Sequence, residues 1–319
     1  MLEIIQFIAK HDDMIITTTY EGPDLDGYSC AVAYAELLRA QGQKAQAAIF
    51  GELQLEVQWL LSEFGIGRIG PISPIGLITI ALLDTSDLEG LPKCFAPEQV
   101  VEIIDHRKLT QLEAFPNTKS QVELVGAAAT LVAERFKETG VEPSRESAIL
   151  LYGGILSNTQ NFTHPQVSHR DRNMAAWLKD ISQAPNDLAK RMFIAKSDLS
   201  GTRLAQALDG DSKVLVIQGK RVATMQLEIY NPDRLIAERR EEIESILSTF
   251  VKTEGADYGY LNMKNLENET SFILCGNEAT RLLFTSLSGM MWDDHLGYST
   301  ERTLRKQINT WIDDQLSRT

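Results

Sequence analysis

Acidic side chains follow three separate apolar runs, and this arrangement constrains the fold more than any other feature of the sequence. The runs cover residues 14–18, 77–83 and 99–104 and are rich in β-branched and aliphatic side chains. Short apolar runs bounded by loop residues predict buried strands. The polar residues that follow them are, in chain order, Asp24 and Asp26, then Asp84, then the pair Asp105 and His106.

Helical patterns lie between these runs. Residues 28–41 and 147–157 predict helices, and a fourth strand at 121–125 leads through Gly126 into a helix that reaches Phe136. Strands that alternate with helices predict an α/β fold with a doubly wound parallel sheet. Ligands of such sheets bind beyond the carboxyl ends of the strands, so the acidic residues should meet there.

The pattern changes after about residue 185. We predict a first domain at 1–185, a linker with a short helix at 186–200, and a second, smaller α/β domain at 201–319 that closes over the site. Two strand-like runs at 213–218 and 221–229 flank Gly219-Lys220 and predict a hairpin. The further elements predicted there are a helix at 233–251, strands at 257–262 and 271–275, and a helix at 278–287.

The net charge of the protein limits the kinds of partner that it can bind. A formal net charge of -13 argues against nucleic acid or an anionic membrane as the main partner. The 3 cysteines are far apart and form no CxxC pair, which indicates free thiols rather than disulfides. Residues 1–13 are too short and too charged for a signal peptide, and no apolar run reaches the roughly 18 residues of a membrane span. We therefore expect a cytoplasmic protein.

The strand-end residues are a candidate metal cluster. Carboxylate oxygens suit hard divalent cations, and an imidazole shifts the preference toward manganese, iron or zinc. Any one of these aspartates could instead cap a helix or form a turn. Their combined occurrence after three strands is a more specific signal than any single aspartate. We therefore predict Asp24, Asp26, Asp84 and His106 as metal ligands, with Asp105 orienting them.

Several motifs in a fixed order then resemble a known family. They are TTTYEGPDLDGYSCAVAY, LLDTSD at Asp84, IIDHRK at Asp105, LVGAAATLVAERF, ILLYGGILSNTQNF and FIAKSDLSG. Together they resemble the DHH phosphoesterases, above all the manganese-dependent (family II) inorganic pyrophosphatases and exopolyphosphatases, and most strongly over residues 14–171. The resemblance implies a metal-dependent hydrolase that uses one or two Mn²⁺ or Mg²⁺ ions, acts on a small phosphorylated substrate and often forms homodimers.

Three positions depart from the pattern of that family. Tyr20 stands where the family has a metal-binding histidine, Asn158 where it has an aspartate, and Arg107 where it has the second histidine of the signature. A phenol is a poor ligand because its pKa is about 10, and an amide offers an oxygen without charge. Asp24 and Asp84 remain for one ion, and Asp26, Asp84, His106 and Asn158 for the other. We therefore expect one ion, or two that are weakly held.

The cations near the site are the candidate phosphate ligands. Arg107 can form a forked pair with a phosphate, or a salt bridge to a carboxylate of the cluster. By resemblance, a basic motif near the C-terminus contacts phosphate, and Arg302, Arg305 and Lys306 are the candidates. They could instead form the solvated face of an amphipathic helix. The acidic run MMWDDH at 290–295 is interpreted as a loop or interface.

Two functions remain open. The first is hydrolysis of a phosphoanhydride or phosphate ester, of the pyrophosphate or polyphosphate type, by a metal-activated water. The second is a catalytically weak or inactive relative that binds a phosphorylated ligand or nucleotide as a sensor, as the changes at Tyr20 and Asn158 indicate. Exonuclease activity, known for other DHH proteins, is disfavoured by the acidic charge.

Overall fold

The computed structural model describes residues 14–72, 78–108, 110–287 and 289–318. The interpretation of residues 1–13 and the start of the predicted strand at Leu77 lie outside these ranges. The chain divides into two compact units, with the boundary between Ala195 and Lys196. None of the helices within the described ranges is both long enough and apolar enough to cross a membrane.

The first unit contains a five-stranded sheet in the order β2-β1-β3-β4-β5, and every neighbouring pair is parallel. Its elements are β1 (Met14–Thr18), α1 (Leu25–Ala40), β2 (Ala45–Ala47), α2 (Leu55–Phe64), β3 (Ile78–Leu83), β4 (Val100–Asp105), β5 (Lys119–Val122), α3 (Ala128–Thr139), α4 (Arg145–Asn158), α5 (His169–Ser182) and α6 (Leu188–Lys196). This order belongs to the doubly wound class, in which the chain reverses direction across the sheet between β1 and β3. The predicted α/β fold with a parallel sheet is confirmed.

The strands are apolar because both faces of the sheet are covered. Ile16, Ile80 and Ile103 pack into one core cluster with Leu91 and Phe95, which follow β3 in the chain. Parallel strands that are buried on both faces show continuous apolar runs rather than alternation. This explains why β1, β3 and β4 could be predicted from composition alone.

Helix α4 lies unusually close to α1, and two glycines allow it. A Cβ atom at Gly154 would lie 2.7 Å from Ser29 Oγ and 3.2 Å from the Cα of Asp26. One at Gly153 would lie 2.9 Å from the Cδ2 of Leu25 in α1 and 2.7 Å from the Cδ1 of Leu60 in α2. The close approach brings the C-terminal end of α4 beside the first turn of α1.

Substitution of Gly154 with alanine should therefore destabilise the protein. The added methyl group would force α1 and α4 apart, and overpacking of this kind costs about 1–3 kcal/mol. Urea denaturation would measure the change in the free energy of unfolding. Gly210→Ala is the matched control, because Gly210 is also helical and a Cβ atom there would meet no atom of another element within 4 Å among the described residues. Equal stability of the two variants would contradict the tight packing at Gly154.

The second unit contains a six-stranded sheet in the order β10-β11-β9-β8-β7-β6. Its elements are α7 (Arg203–Gly210), β6 (Ser212–Ile217), β7 (Lys220–Ile229), α8 (Pro232–Thr253), β8 (Tyr258–Asn265), β9 (Ser271–Cys275), α9 (Glu278–Phe284), β10 (Met291–Asp293), β11 (Leu296–Ser299) and α10 (Arg305–Leu316). The predicted hairpin is confirmed, since β6 and β7 pair antiparallel. The pair β7 and β8 is parallel, and α8 provides the crossover between them.

One interpretation of this unit was wrong. The run at 290–295 is not simply a loop, because Met291–Asp293 forms β10 and pairs antiparallel with β11. Asp294 has a φ of +52° in the turn between the two strands. A strand of three residues is too short for its side-chain alternation to be recognised in the sequence.

Candidate metal centre

Asp84 stands at the point where the order of the parallel strands reverses. It directly follows β3, which pairs with both β1 and β4, and its backbone N–H donates to the carbonyl of Ile104 over 2.8 Å. Its φ is +58°, a left-handed conformation that aspartate and asparagine tolerate better than most residues. The conformation holds a nearly buried carboxylate at the carboxyl edge of the sheet.

Three of the predicted ligands meet at this edge. Within the described ranges, Asp26, Asp84 and His106 are the group of acidic and histidine side chains whose ligand atoms all lie within 4.8 Å of one another. His106 Nε2 lies 3.4 Å from Asp84 Oδ1 and 3.8 Å from Asp26 Oδ2. Two carboxylates and one imidazole form a donor set that suits a divalent ion such as manganese. The residues present therefore fit one ion.

Asp26 belongs to α1, and its side chain is held in place by the N-terminus of α3. Its carboxylate accepts hydrogen bonds from the backbone N–H groups of Ala128, over 2.8 Å, and Ala129, over 2.7 Å. These are the first residues of α3, whose unpaired N–H groups and positive dipole end favour an anion. The completely buried carboxylate is thereby fixed in position.

The hydrogen bonding of His106 leaves Nε2 facing the carboxylates. Its Nδ1 lies 3.0 Å from the carbonyl oxygen of Val125, so Nδ1 carries a proton and donates it. Burial alone would lower the pKa of His106, but Asp84, Asp26 and the Val125 carbonyl outweigh it and raise the pKa to about 10. Burial raises the pKa of Asp84 to about 6. The two carboxylates thus favour a cation at Nε2, either a proton or a metal ion.

Binding of Mn²⁺ should accordingly become tighter as the pH rises. The ion must displace the proton that His106 holds below a pKa of about 10, so affinity is lost as the pH falls, by up to about tenfold per pH unit for one proton. Below about pH 6 a proton on Asp84 adds to the loss. Calorimetric titration between about pH 6 and pH 8, in buffers of different ionisation enthalpy, measures both affinity and proton release. Constant affinity across this range would contradict the prediction.

Asn158 is the last residue of α4 and contacts two of the three ligands. Its Nδ2 lies 2.8 Å from Asp26 Oδ2 and 3.0 Å from His106 Nε2. Since an ionised carboxylate only accepts hydrogen bonds, the NH₂ end of the amide faces Asp26. The amide thus donates to Asp26 Oδ2 and lies beside His106 Nε2, two atoms that a metal ion would use. The predicted role of the Asn158 carbonyl oxygen as a ligand requires the amide to turn over.

Asp24 and Tyr20, at the positions considered for a second ion, form hydrogen bonds at the start of α1. Asp24 is the N-cap of α1, and its Oδ1 accepts a hydrogen bond of 3.0 Å from the N–H of Gly27. The hydroxyl of Tyr20 accepts a hydrogen bond from the N–H of Asp24. Burial, with the carboxylates of Asp24 and Asp84, raises the pKa of the phenol far above its ordinary value. A neutral phenol and a capping carboxylate do not fit a second ion, and the role of Asp24 as a ligand stays a prediction.

Asp105 and Arg107 flank His106 and contact each other, and each has further partners. The buried carboxylate of Asp105 accepts hydrogen bonds from the N–H groups of His106 and Arg107 and from Ser86 Oγ. It therefore shapes the turn that carries His106. Arg107 Nη1 donates to Asp87 over 3.1 Å, and Nη2 donates to the Asp84 carbonyl over 3.1 Å. The partner Asp87 was not predicted, although it lies within the LLDTSD motif.

The basic candidates near the C-terminus belong to the second unit. Arg305 Nη2 pairs with Asp211 Oδ1 over 2.7 Å, and Arg302 Nε lies 3.9 Å from Glu269 Oε2. Lys306 is exposed in the first turn of α10, whereas the side chains of Arg302 and Arg305 are only 9% and 14% exposed. Their role as phosphate ligands stays a prediction.

Comparison with known proteins agrees with this description. The DHHA2 domain family matches residues 190–314. A manganese-dependent inorganic pyrophosphatase of Bacillus subtilis (strain 168) is 26% identical over 85% of this chain and 88% of its own length.

Two solved structures share the fold. One, from Methanococcus jannaschii, is assigned to the family II inorganic pyrophosphatases; it covers 95% of this chain and 99% of its own with a TM-score of 0.65 and 21% identity. The other is an exopolyphosphatase-related protein from Bacteroides fragilis. It covers 99% of this chain and 95% of its own, with a TM-score of 0.50 and 12% identity.

The fold and the strand-end cluster define an α/β protein with a candidate metal site at the edge of its parallel sheet, followed by a C-terminal part that matches the DHHA2 domain family. The chain as a whole resembles the DHH superfamily, above all its manganese-dependent family II inorganic pyrophosphatases. The resemblance inferred from the motifs is confirmed.

Proposed function

We propose that this protein is a metal-dependent phosphoesterase that hydrolyses a phosphoanhydride of the pyrophosphate type and holds one divalent cation. The observation that carries the proposal is the convergence of Asp26, Asp84 and His106 at the edge of the sheet. The manganese dependence of the relatives supports Mn²⁺ as the ion, with Mg²⁺ as the alternative. A bound cation would supply a water molecule made acidic enough to attack phosphorus at neutral pH.

The protein side chains orient the reactants around that ion. Asp26 and Asp84 supply negative charge, and the Val125 carbonyl keeps the proton of His106 on Nδ1 so that Nε2 can bind. Asp105 acts from behind as a positioning residue, because its carboxylate is used by the turn at His106 and Arg107.

Arg107 is the proposed phosphate ligand of this unit. Asp87 and the Asp84 carbonyl fix its guanidinium, which also lies 5.8 Å from the centroid of the Tyr20 ring. A cleft of about 360 Å³ adjoins it and is lined by basic and acidic side chains, among them Lys93, Asp87 and Glu89. A fixed guanidinium can neutralise a phosphate where the family relies on a second ion.

The second unit supplies further cations in this proposal. Arg302, Arg305 and Lys306 are its proposed phosphate ligands. Arg305 would then exchange its contact with Asp211 for a phosphate oxygen.

Phosphate release tests the proposal directly. Purified protein with Mn²⁺ should release inorganic phosphate from pyrophosphate or from short polyphosphates, and His106→Ala should abolish the release. No release from a broad panel of phosphoanhydrides and phosphate esters, with Mn²⁺, Mg²⁺ or Co²⁺, would reject the proposal.

A second candidate function follows from the hydrogen bonds of Asn158. An amide that donates to Asp26 Oδ2 and lies 3.0 Å from His106 Nε2 competes with a metal ion for the Asp26 carboxylate and for the space beside the imidazole. This favours a catalytically weak relative that binds a phosphorylated ligand or nucleotide as a sensor. Calorimetry against pyrophosphate and nucleoside phosphates separates the two, since tight binding without turnover indicates the sensor.

A further inference from the structure

Glu56 is a completely buried carboxylate in α2, a helix that no motif predicted. Buried glutamates are rare and need hydrogen-bond partners, because an unpaired buried charge is costly. Two of its partners lie on other helices, and each is next in the chain to a residue of the candidate metal centre.

One carboxylate oxygen contacts α1 and the other contacts α4. Oε1 accepts a hydrogen bond of 3.3 Å from the N–H of Leu25, and Oε2 accepts one of 2.6 Å from Ser157 Oγ. Leu25 lies between Asp24 and Asp26, and Ser157 directly precedes Asn158. A single side chain therefore joins the turn that carries Asp26 to the turn that carries Asn158.

The contact to Leu25 is favoured by the helix itself. Leu25 is the first residue of α1, so its N–H has no partner within the helix. An anion at a helix N-terminus is stabilised by the dipole and by charge-assisted hydrogen bonding. Glu56 thus fixes the start of α1 at the position from which Asp26 enters the site.

Apolar packing holds α2 in place independently of Glu56. Val57, Leu60 and Leu61 of the same helix are buried, and the Cδ1 of Leu60 lies against Gly153 of α4. What the carboxylate adds is a defined distance between two helix ends. Because Asn158 Nδ2 lies 2.8 Å from Asp26 Oδ2, a small shift of either end would change the ligand geometry.

We infer that Glu56 is a positioning residue of the metal centre, which sets the separation of Asp26 from Asn158 through Leu25 and Ser157. The inference rests on the proposed metal site. Residues that support ligands from behind typically contribute 10- to 100-fold to metal affinity. The two hydrogen bonds, rather than the charge, should carry most of the effect.

The experiment compares four variants by calorimetric titration with Mn²⁺. Glu56→Ala and Ser157→Ala should each weaken binding by about tenfold or more. Glu56→Gln should stay within about threefold of the unmodified protein, because glutamine can accept from Leu25 and donate to Ser157. Glu63→Ala is the matched control on the same helix, since Glu63 is exposed and pairs with Arg191.

A second readout needs no metal. The NMR signals of the Asn158 side-chain NH₂ group, assigned by their loss in Asn158→Asp, should shift in Glu56→Ala and Ser157→Ala and remain in place in Glu56→Gln. Unchanged Mn²⁺ affinity and unchanged signals in both alanine variants would overturn the inference. If Glu56→Ala does not fold, Ser157→Ala decides the question.

The two proposals fail in different ways. If the unmodified protein does not bind Mn²⁺, the proposed function fails, and the Asn158 signals alone decide the role of Glu56. If it binds Mn²⁺, and both alanine variants keep the Mn²⁺ affinity and the Asn158 signals unchanged, only the inference about Glu56 fails.

Discussion

Replacement of Asp84 with asparagine should weaken Mn²⁺ binding by on the order of 100-fold or more, and hydrolysis should be lost with it. Of the two clustered carboxylates, Asp84 lies nearer to the imidazole of His106, with Oδ1 at 3.4 Å from Nε2 against 3.8 Å for Asp26 Oδ2. Asparagine matches its shape and tolerates the left-handed backbone, whose φ is +58° here. The variant therefore removes the charge without straining the turn. Calorimetric titration with Mn²⁺ measures the loss.

Asp87→Asn provides the control for this experiment. It lies in the same loop and binds Arg107, but it is not one of the three clustered ligands. We expect Mn²⁺ binding close to that of the unmodified protein and weaker binding of phosphate. If Asp84→Asn kept full affinity for Mn²⁺, the proposed ligand set would be wrong.

The double substitution Tyr20→His and Asn158→Asp should raise the number of bound Mn²⁺ ions from one to two per chain. The imidazole replaces a phenol that burial and two carboxylates keep neutral. The new carboxylate can no longer donate to Asp26 Oδ2, as the amide does, and it adds negative charge beside His106 Nε2. Two ions stabilise both the attacking and the leaving oxygen, so pyrophosphate hydrolysis should also increase strongly. Elemental analysis gives the stoichiometry and phosphate release gives the rate.

The two single variants separate the contributions. Asn158→Asp alone should tighten the first ion, because it adds charge beside Asp26 and His106 and removes the competing donor. Tyr20→His alone should have little effect on the first ion, because Tyr20 contacts Asp24 rather than the cluster. A double variant that still binds a single ion would show that the N-cap role of Asp24 excludes the second site.

Much of the first unit could be predicted from local patterns. β1, β3 and β4 are short, apolar and buried, and parallel sheets require that composition. Elements with weaker patterns were missed, such as β2 with three residues and the hairpin β10–β11. Helix α2 was missed as well, and with it Glu56, because one buried glutamate in a mixed segment has no periodic signal.

The sequence by itself determined which side chains stand at the carboxyl ends of the strands, since the positions of Asp84 and His106 follow from where each apolar run stops. It also determined that Tyr20 and Asn158 depart from the family pattern. Only the tertiary structure decided what each group contacts. Asp26 meets the N–H of Ala128, 102 residues away, and Asn158 meets Asp26, 132 residues away. Such contacts depend on how helices pack across the sheet, and a local pattern carries no information about that distance or orientation.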